Sequence, residues 1–497
     1  MNSILVISQL LLPIVVAVIL PLLHNYPKLV AWISTITMAI TSILGTLLLL
    51  DVLENGSFTY VFSSANAAIG IELSISAFST LFTFIVTGIS TLILLYSIES
   101  IRKDVEPGRI ARYYTLLLTL LFAMMILIYT NDLFNTYVFM AVVAISATAL
   151  VSIKQKKDNY MASFRYLLLN EMGSLAYLLG VAILYLLTGY LNMNLVHETL
   201  QPLVNDYSLA IYAATGLIVI GLSIKAAVFP LHIWLPDAHS SAPSASSAML
   251  SAIVIKAYVI VLIKFVYVVL GTDLARELSL DIYIIFVGVL GMMMGSFFAL
   301  GQRDVKRILA YSSVSQIGYI MVGIGLLSPM GLLAALFHIL SHAVMKSALF
   351  LSTGVFIYTK KRRKVHQFQG LGYLVPLSMV VFGIASLGMI GIPLTSGFIA
   401  KFQLSVSAAS AGEGWIVIMI LISSFLNAVY YLPILLRAYI GEPESREHLG
   451  KIKLEQAPFT MLLTVALLGL GIILMGIFPN QVFSVMEAAA SIFFEGN

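Results

Sequence analysis

Apolar residues run along this chain in long continuous blocks, separated by short polar stretches. A membrane-spanning helix needs about 20 such residues. Fourteen blocks reach that length: 3–23, 28–50, 74–98, 111–129, 132–153, 162–188, 207–234, 240–270, 280–300, 305–327, 331–358, 371–407, 415–439 and 457–478. The pattern predicts an all-α polytopic membrane protein. A transmembrane barrel would show segments of ~10 residues with alternating polarity instead. The first block lacks a basic start and a small-residue cleavage site, so a spanning helix is expected there, not a removed signal. The stretch after 478 is short and partly apolar, and is expected at the surface. No polar stretch is long enough to fold alone, so residues 1–497 are expected to form one membrane domain.

The basic residues support that count. With the N-terminus outside and loops assigned alternately, the inside loops and adjoining helix ends hold 21 of the 27 Lys and Arg. They cluster at 102–112, 154–165, 303–307, 360–364 and 437–453, with Lys28 beside the second block. The outside holds Arg276 alone, and the other five lie within spans. Such asymmetry is what the positive-inside rule requires, and one missed helix would invert every later loop. Both termini are therefore expected outside the plasma membrane of a prokaryote.

Composition agrees. The chain is 60% hydrophobic and 10% charged, with a mean hydropathy of +1.01. Soluble domains carry about 25% charged residues, and disorder needs low hydrophobicity. Both are excluded. There is no cysteine, which rules out disulfides, thiolate zinc sites and cysteine-ligated iron–sulfur clusters in this chain. Iron–sulfur clusters, where the assembly has them, must sit on partner subunits, and no cofactor is expected here. Nothing suggests a nucleic-acid partner.

Two blocks contain helix breakers. Phe229-Pro230-Leu231-His232 interrupts the seventh and Gly391-Ile392-Pro393-Leu394-Thr395-Ser396-Gly397 the twelfth. Pro230 and Pro393 each remove a backbone donor. Irregular backbone at membrane depth is tolerated where it is buried in protein or lines a watery cavity. One break is as well explained by a packing kink. Two, five spans apart, point to an inverted repeat with an ion path at the breaks.

Five lysines lie inside spans: Lys225, Lys256, Lys264, Lys346 and Lys401. Each costs roughly 2.5–3.5 kcal/mol at a helix centre on insertion scales. Lys264 is near enough to the outer end to snorkel. The others could be packing ion pairs, but only one carboxylate, Glu171, sits deep in a span, and one acid cannot neutralise four amines. Burial disfavours the charged form of an unpaired amine, so the set reads as a proton path. His338, His342 and Lys346 follow at i, i+4 and i+8, on one helix face. A relay explains three titratable groups on one stripe. Metal binding is the rival, yet no nearby acid or thiol completes a site. Ser240, Ser241, Ser244, Ser246 and Ser247, with His239, are expected to line the start of the eighth helix, holding water beside the path or capping and packing the helix.

Three segments carry a resemblance. Lys225-Ala-Ala-Val-Phe-Pro-Leu-His-Ile-Trp-Leu-Pro-Asp-Ala-His239, with Ala242-Pro243 and Lys256, resembles the core signature of the antiporter-like subunits. So do Asp304-Val-Lys-Arg-Ile-Leu-Ala-Tyr-Ser-Ser-Val-Ser-Gln-Ile-Gly-Tyr319 and Gly391-Ile-Pro-Leu-Thr-Ser-Gly-Phe-Ile-Ala-Lys401. That family comprises the large proton-pumping subunits of respiratory complex I, the A and D subunits of Mrp sodium/proton antiporters, and relatives in membrane-bound hydrogenases and sulfur reductases. The resemblance covers nearly the whole chain. It implies 14 helices with two inverted five-helix repeats, helices 4–8 (111–270) and 9–13 (280–439), and broken helices 7 and 12. It implies that Lys225 pairs with a glutamate on helix 5, that Lys256 links the halves, that His338, His342 and Lys346 form a relay, and that Lys401 stands at the exit. Without the long C-terminal extension of the largest members, the chain looks closest to the compact type, such as the Mrp D or hydrogenase subunit.

One position departs. Asp132-Leu-Phe-Asn-Thr-Tyr-Val-Phe-Met-Ala141 resembles the helix-5 motif, but Ala141 stands where the family usually has glutamate. Glu171, at a similar depth on the next helix, is expected to substitute and pair with Lys225. The resemblance implies an ion-translocating subunit, moving protons and in some members sodium, not catalytic by itself. Its partners would be other antiporter-like and small membrane subunits, a hydrophilic redox arm in redox-driven members, and lipid. The alternatives are a structural or modified non-pumping copy, and a stand-alone secondary transporter.

Overall fold

The computed structural model describes residues 2–61, 71–440 and 457–494. Among them, 13 helices are long and apolar enough to cross a membrane. The predicted twelfth span is two shorter helices, Pro376–Ile390 and Ser396–Ser410, parted by residues 391–395. Ordinals below follow the 14 predicted blocks. Helices dominate because hydrocarbon offers the backbone no other partner, so each N–H and C=O must be satisfied within its own segment. Polar side chains set the starts. Asp132 accepts from the Asn135 N–H to open the fifth helix, Leu133–Ser152, and Ser328 accepts from the Gly331 N–H to open the eleventh, Pro329–Lys360.

Successive spans alternate in direction, which gathers unlike features at the two ends. One end holds the ion pairs Lys154–Asp104 (2.7 Å), Arg165–Asp237 (2.7 Å), Arg307–Asp237 and Arg363–Asp304 (2.5 Å). Arg446, Lys451 and Lys453, predicted for this end, lie outside the described residues. The other end carries an antiparallel hairpin, Phe58–Val61 against Glu72–Ile75. The predicted third span therefore begins late, as the helix Ala77–Asp104. Val6 and Leu10 pack with Leu73 and Tyr129 at the hairpin end. Phe493 packs there too, 4.9 Å from the Phe78 ring and 5.7 Å from Tyr267. The N-terminal and C-terminal helices thus share one end. The segment after 478 is a helix, Pro479–Ser491, that packs one face, Met486, Ala489 and Ala490, against the bundle and leaves Asn480, Gln481, Ser484 and Glu487 exposed.

Burial separates the helices into a centre and a rim. The most apolar windows of the eighth (Ser244–Glu277), tenth (Val305–Gly325) and eleventh helices are 94% buried. Those of the first, sixth and thirteenth spans are less than half buried, and present large apolar residues such as Val18, Phe164 and Phe425 outward. The central helices are the ones that carry Lys256 and the His338–Lys346 stripe.

The seventh span breaks earlier than the proline alone suggests. Its helix, Ser208–Lys225, stops at the lysine; residues 226–234, including Pro230, are irregular; a short helix, Leu235–Ser241, follows. His239, Ser240 and Ser241 belong to this short helix, which corrects their placement at the start of the eighth. Pro243 explains the boundary. It has no N–H to continue the preceding helix and is suited to begin a new one. Within the eighth helix, wider π-turns occupy Leu250–Val254 and Phe265–Leu270.

Candidate functional site

The two breaks expose helix-end carbonyls, and the side chains that satisfy them decide the state of two lysines. In the seventh span the Trp234 indole Nε1 reaches back and donates to the Ile224 carbonyl (2.9 Å). The adjacent Lys225 amine is left fully buried with no hydrogen-bond partner, 5.2 Å from the centre of the Tyr258 ring. In the twelfth span Lys401 does the capping, joined at the Met389 carbonyl by the Asn427 side-chain amide (3.1 Å). The Lys401 amine donates to the carbonyls of Met389 (2.8 Å) and Ile390 (3.1 Å) and to Ser424 Oγ (3.0 Å), and lies 4.7 Å above Tyr319. Gly391 permits this. Its φ of +95° suits glycine, and a Cβ there would lie 3.1 Å from Lys401 Cδ. Pro393 sits in the same irregular stretch.

Glu171 lies within electrostatic range of Lys225, Tyr166 and Tyr258. The expected direct pair is not formed, for no ion pair joins Glu171 to Lys225 among the described residues. Lys225 Nζ, Glu171 Oε1 and the hydroxyls of Tyr166 and Tyr258 are instead each buried without a hydrogen-bond partner. Close helix contact sets this spacing. A Cβ at Gly173 would lie 2.9 Å from the Gly221 carbonyl, and one at Gly221 2.6 Å from that of Gly173. Small residues let the sixth and seventh helices touch backbone to backbone. Ala141 sits on the fifth helix, partly buried.

At the centre, Lys256 donates to the Ser251 carbonyl inside the first π-turn, and Ser251 Oγ meets Ser313 Oγ at 2.8 Å. The predicted stripe is brought together on the eleventh helix, entirely buried. Lys346 donates to the Leu309 carbonyl (2.7 Å) and to Ser312 Oγ. The His342 ring has both nitrogens unpartnered and lies 6.3 Å from His338, centre to centre. His338 Nε2 bonds Gln316 Oε1 (2.9 Å), and its ring stacks on Tyr319 (5.5 Å). Lys256 interacts electrostatically with His338, His342 and Lys346. The row thus runs from Lys225 past Tyr258 to Lys256, His342 and His338, and through Tyr319 to Lys401.

Sequence reasoning missed several members. Gln316 and Tyr319 stand three apart in the Asp304–Tyr319 motif, on one helix face; that spacing was the available signal. Lys306, counted with the inside helix ends, is buried and donates to the Ala242 carbonyl (2.9 Å) and Ser247 Oγ (3.3 Å). Among the serines, Ser240 and Ser241 donate to the Asp237 carbonyl (3.2 and 2.8 Å), which is local helix bonding. Ser244, Ser246 and Ser247 are buried, and His239 has both ring nitrogens unpartnered. Lys264 does not snorkel. It is buried and donates to the Ile128 (2.9 Å) and Thr130 (2.6 Å) carbonyls.

A helical bundle with broken spans and a buried row of amines and imidazoles defines a class: polytopic membrane proteins built to carry ions through their interior. The particular family follows from comparison. The chain belongs to the NADH:quinone oxidoreductase/Mrp antiporter membrane family, whose model matches residues 130–427; the model for the N-terminus of complex I chain 5 matches 61–114. It is 36% identical over 388 residues to the N subunit of NADH-quinone oxidoreductase from Desulforudis audaxviator, covering 76% of each chain. It is 28% identical to the D subunit of the Na(+)/H(+) antiporter from Bacillus subtilis, covering 94% of each. A chain of the membrane-bound sulfane sulfur reductase, an archaeal respiratory membrane complex, superposes with a TM-score of 0.89 at 29% identity, covering 98% of this chain and 97% of that one.

Proposed function

We propose that this chain is the ion-translocating subunit of a multisubunit Mrp-type antiporter or complex I-like redox complex, and that protons cross it along the row from Lys225 to Lys401. The carrying observation is that Lys256, Lys346 and Lys401 are held by carbonyls and hydroxyls alone, and Lys225 by nothing. Neutral partners fix position without fixing charge. A charge arriving near Lys225 then changes which amine holds the proton, because Coulomb interactions in a low-dielectric interior are strong.

Lys225 is read as the switch, with Glu171 as its counter-charge in place of the glutamate absent at Ala141. Lys256 links it to His342, His338 and Lys346, and Lys401 is the exit. Residues 111–270 and 280–439 are read as the two inverted repeats. The end rich in Lys and Arg faces the cytoplasm of a prokaryotic cell, which leaves both termini outside. The chain is not catalytic alone; iron–sulfur clusters, in a redox-driven assembly, belong to partner subunits. Sodium is the second ion this reading admits, given the antiporter relatives.

The test uses the native complex in sealed vesicles. Lys225→Ala and Lys401→Ala are each expected to abolish ion translocation while the complex still assembles. Full translocation in both variants would sink the proposal and leave a structural copy, a reading favoured by Ala141 and by the lack of a direct partner for Lys225. Iron–sulfur signals in optical and EPR spectra of the same preparation would assign the drive to electron transfer.

A further inference from the structure

A second lysine site lies at the hairpin end, away from Lys401. A cavity of about 430 Å³ is bordered there by Ser74 of the hairpin, Asn131, His197 and Lys264. The Lys264 amine donates to the Ile128 and Thr130 carbonyls. These are at the C-terminal end of the fourth helix, Ile110–Tyr129, where the helix dipole favours a cation. An ammonium has three donors, so one remains beyond these two. Behind Asn131 lies Glu72, 7% exposed. Its side-chain oxygens accept from the amides of Asn131 (3.3 Å) and Asn192 (2.9 Å), and from no cation among the described residues.

Lys264 follows Lys256 by eight residues on one helix, about 12 Å of rise. The first π-turn ends just before Lys256, and the second begins just after Lys264. Such turns are rare and concentrate at functional sites. Capping of the fourth helix accounts for two bonds of Lys264. It does not account for a polar cavity at the amine, a buried carboxylate behind its wall, or the paired wide turns.

We propose that this cavity is an aqueous vestibule open to the hairpin side of the membrane, and that Lys264 exchanges protons with it, a chain of water carrying them across the ~12 Å between Lys264 and Lys256. The first half of the chain then has its own access to that side, separate from the Lys401 end. The transfer moves only a proton, from Nζ to vestibule water, and leaves a neutral amine that takes up the next proton. This rests on the proton-translocating reading above.

The chain has no cysteine, which makes thiol labelling direct. Ser74→Cys and Lys264→Cys are introduced singly into the native complex. A charged, membrane-impermeant methanethiosulfonate is applied to vesicles of each orientation, and labelling is read as a mass shift on this chain. Both cysteines are expected to react from the hairpin side only, and attachment at Ser74→Cys to lower translocation several-fold. Lys264→Cys unreactive from both sides, or reactive only from the basic side, overturns the vestibule; so does full translocation after labelling of Ser74→Cys. If Lys264→Cys does not assemble, Tyr267→Cys, which borders the same cavity, reports that depth. Lys225→Ala serves as the control. If it too leaves translocation intact, the translocation reading has failed, while the labelling still decides whether the vestibule exists.

Discussion

The Lys401 amine donates to the Met389 carbonyl across the break in the twelfth span, at 2.8 Å. It does for that helix end what Trp234 does for Ile224 in the seventh. The two breaks therefore solve one problem in two ways, with opposite consequences. Where an indole satisfies the carbonyl, the neighbouring lysine is unbound. Where the lysine satisfies it, the amine must leave three hydrogen bonds to move. An unbound amine answers a nearby charge readily; a bound one holds its place until the proton reaches it. On the proposed proton path this asymmetry assigns the switch to Lys225 and the latch to Lys401.

Trp234→Phe tests that division of labour. The phenyl ring keeps most of the packing but has no N–H, so the Ile224 carbonyl loses the indole and keeps only the longer bond from the Ala227 N–H (3.2 Å), at a cost of about 1 kcal/mol. The Lys225 amine is the nearest replacement. Bound to the carbonyl, it stops responding to Glu171. Thermal unfolding of the complex should fall modestly while ion translocation falls at least tenfold. Equal, small losses in both would reduce Trp234 to packing.

Gly391→Ala makes the converse test at the other break. The methyl would sit 3.1 Å from Lys401 Cδ at a backbone φ of +95°. Non-glycine residues at such positions are strained by of order 1 kcal/mol or more. The amine should be driven off the Met389 and Ile390 carbonyls, and translocation should fall more than in Gly412→Ala. Gly412 also has a positive φ, but a Cβ there meets nothing within 4 Å, so it controls for backbone strain alone.

The parts legible in the sequence were those set by local chemistry. Proline and glycine announced both breaks, and a lysine in an apolar block is visible anywhere. What escaped depends on contacts between distant segments. Trp234 caps a helix ten residues back, which only the path of the intervening loop makes possible. Lys306 looked like a loop-side cation because its neighbours are charged; it is buried because the turn at Ala242 and Ser247 closes over it. Lys264 looked able to snorkel, but the end of the fourth helix supplies two carbonyls nearer than the membrane surface. The π-turns leave no mark that periodicity could read, since one extra residue in a uniformly apolar helix changes no pattern.

Gln316 presents a neutral acceptor to His338 at 2.9 Å. A neutral partner positions the imidazole without adding a charge that would hold a proton on it. A carboxylate in its place would pair with the imidazolium and hold the proton. Gln316→Glu should therefore block translocation, and Gln316→Leu, which only frees one ring nitrogen, should slow it several-fold. The ranking matters more than the sizes. If Leu is the worse variant, the hydrogen bond positions the ring and charge retention is unimportant.

Glu171 and Ala141 offer the last and most discriminating comparison. Glu171 lies within electrostatic range of Lys225 without touching it, on the sixth helix, whereas the resemblance implies that relatives carry their glutamate on the fifth, at the position of Ala141. If the two sites supply one charge, that charge can be moved. Glu171→Gln keeps the shape and removes the charge, and translocation should drop at least tenfold with assembly unchanged. Ala141→Glu alone should also slow transport, because two carboxylates would hold Lys225 charged. The double variant Ala141→Glu/Glu171→Gln restores one carboxylate and should recover much of the native rate. Recovery in the double variant, measured as proton uptake in sealed vesicles, cannot come from independent packing defects, whose costs add. A double variant no better than the worse single one would mean that Glu171 acts on Tyr166 and Tyr258 and not as the counter-charge of Lys225.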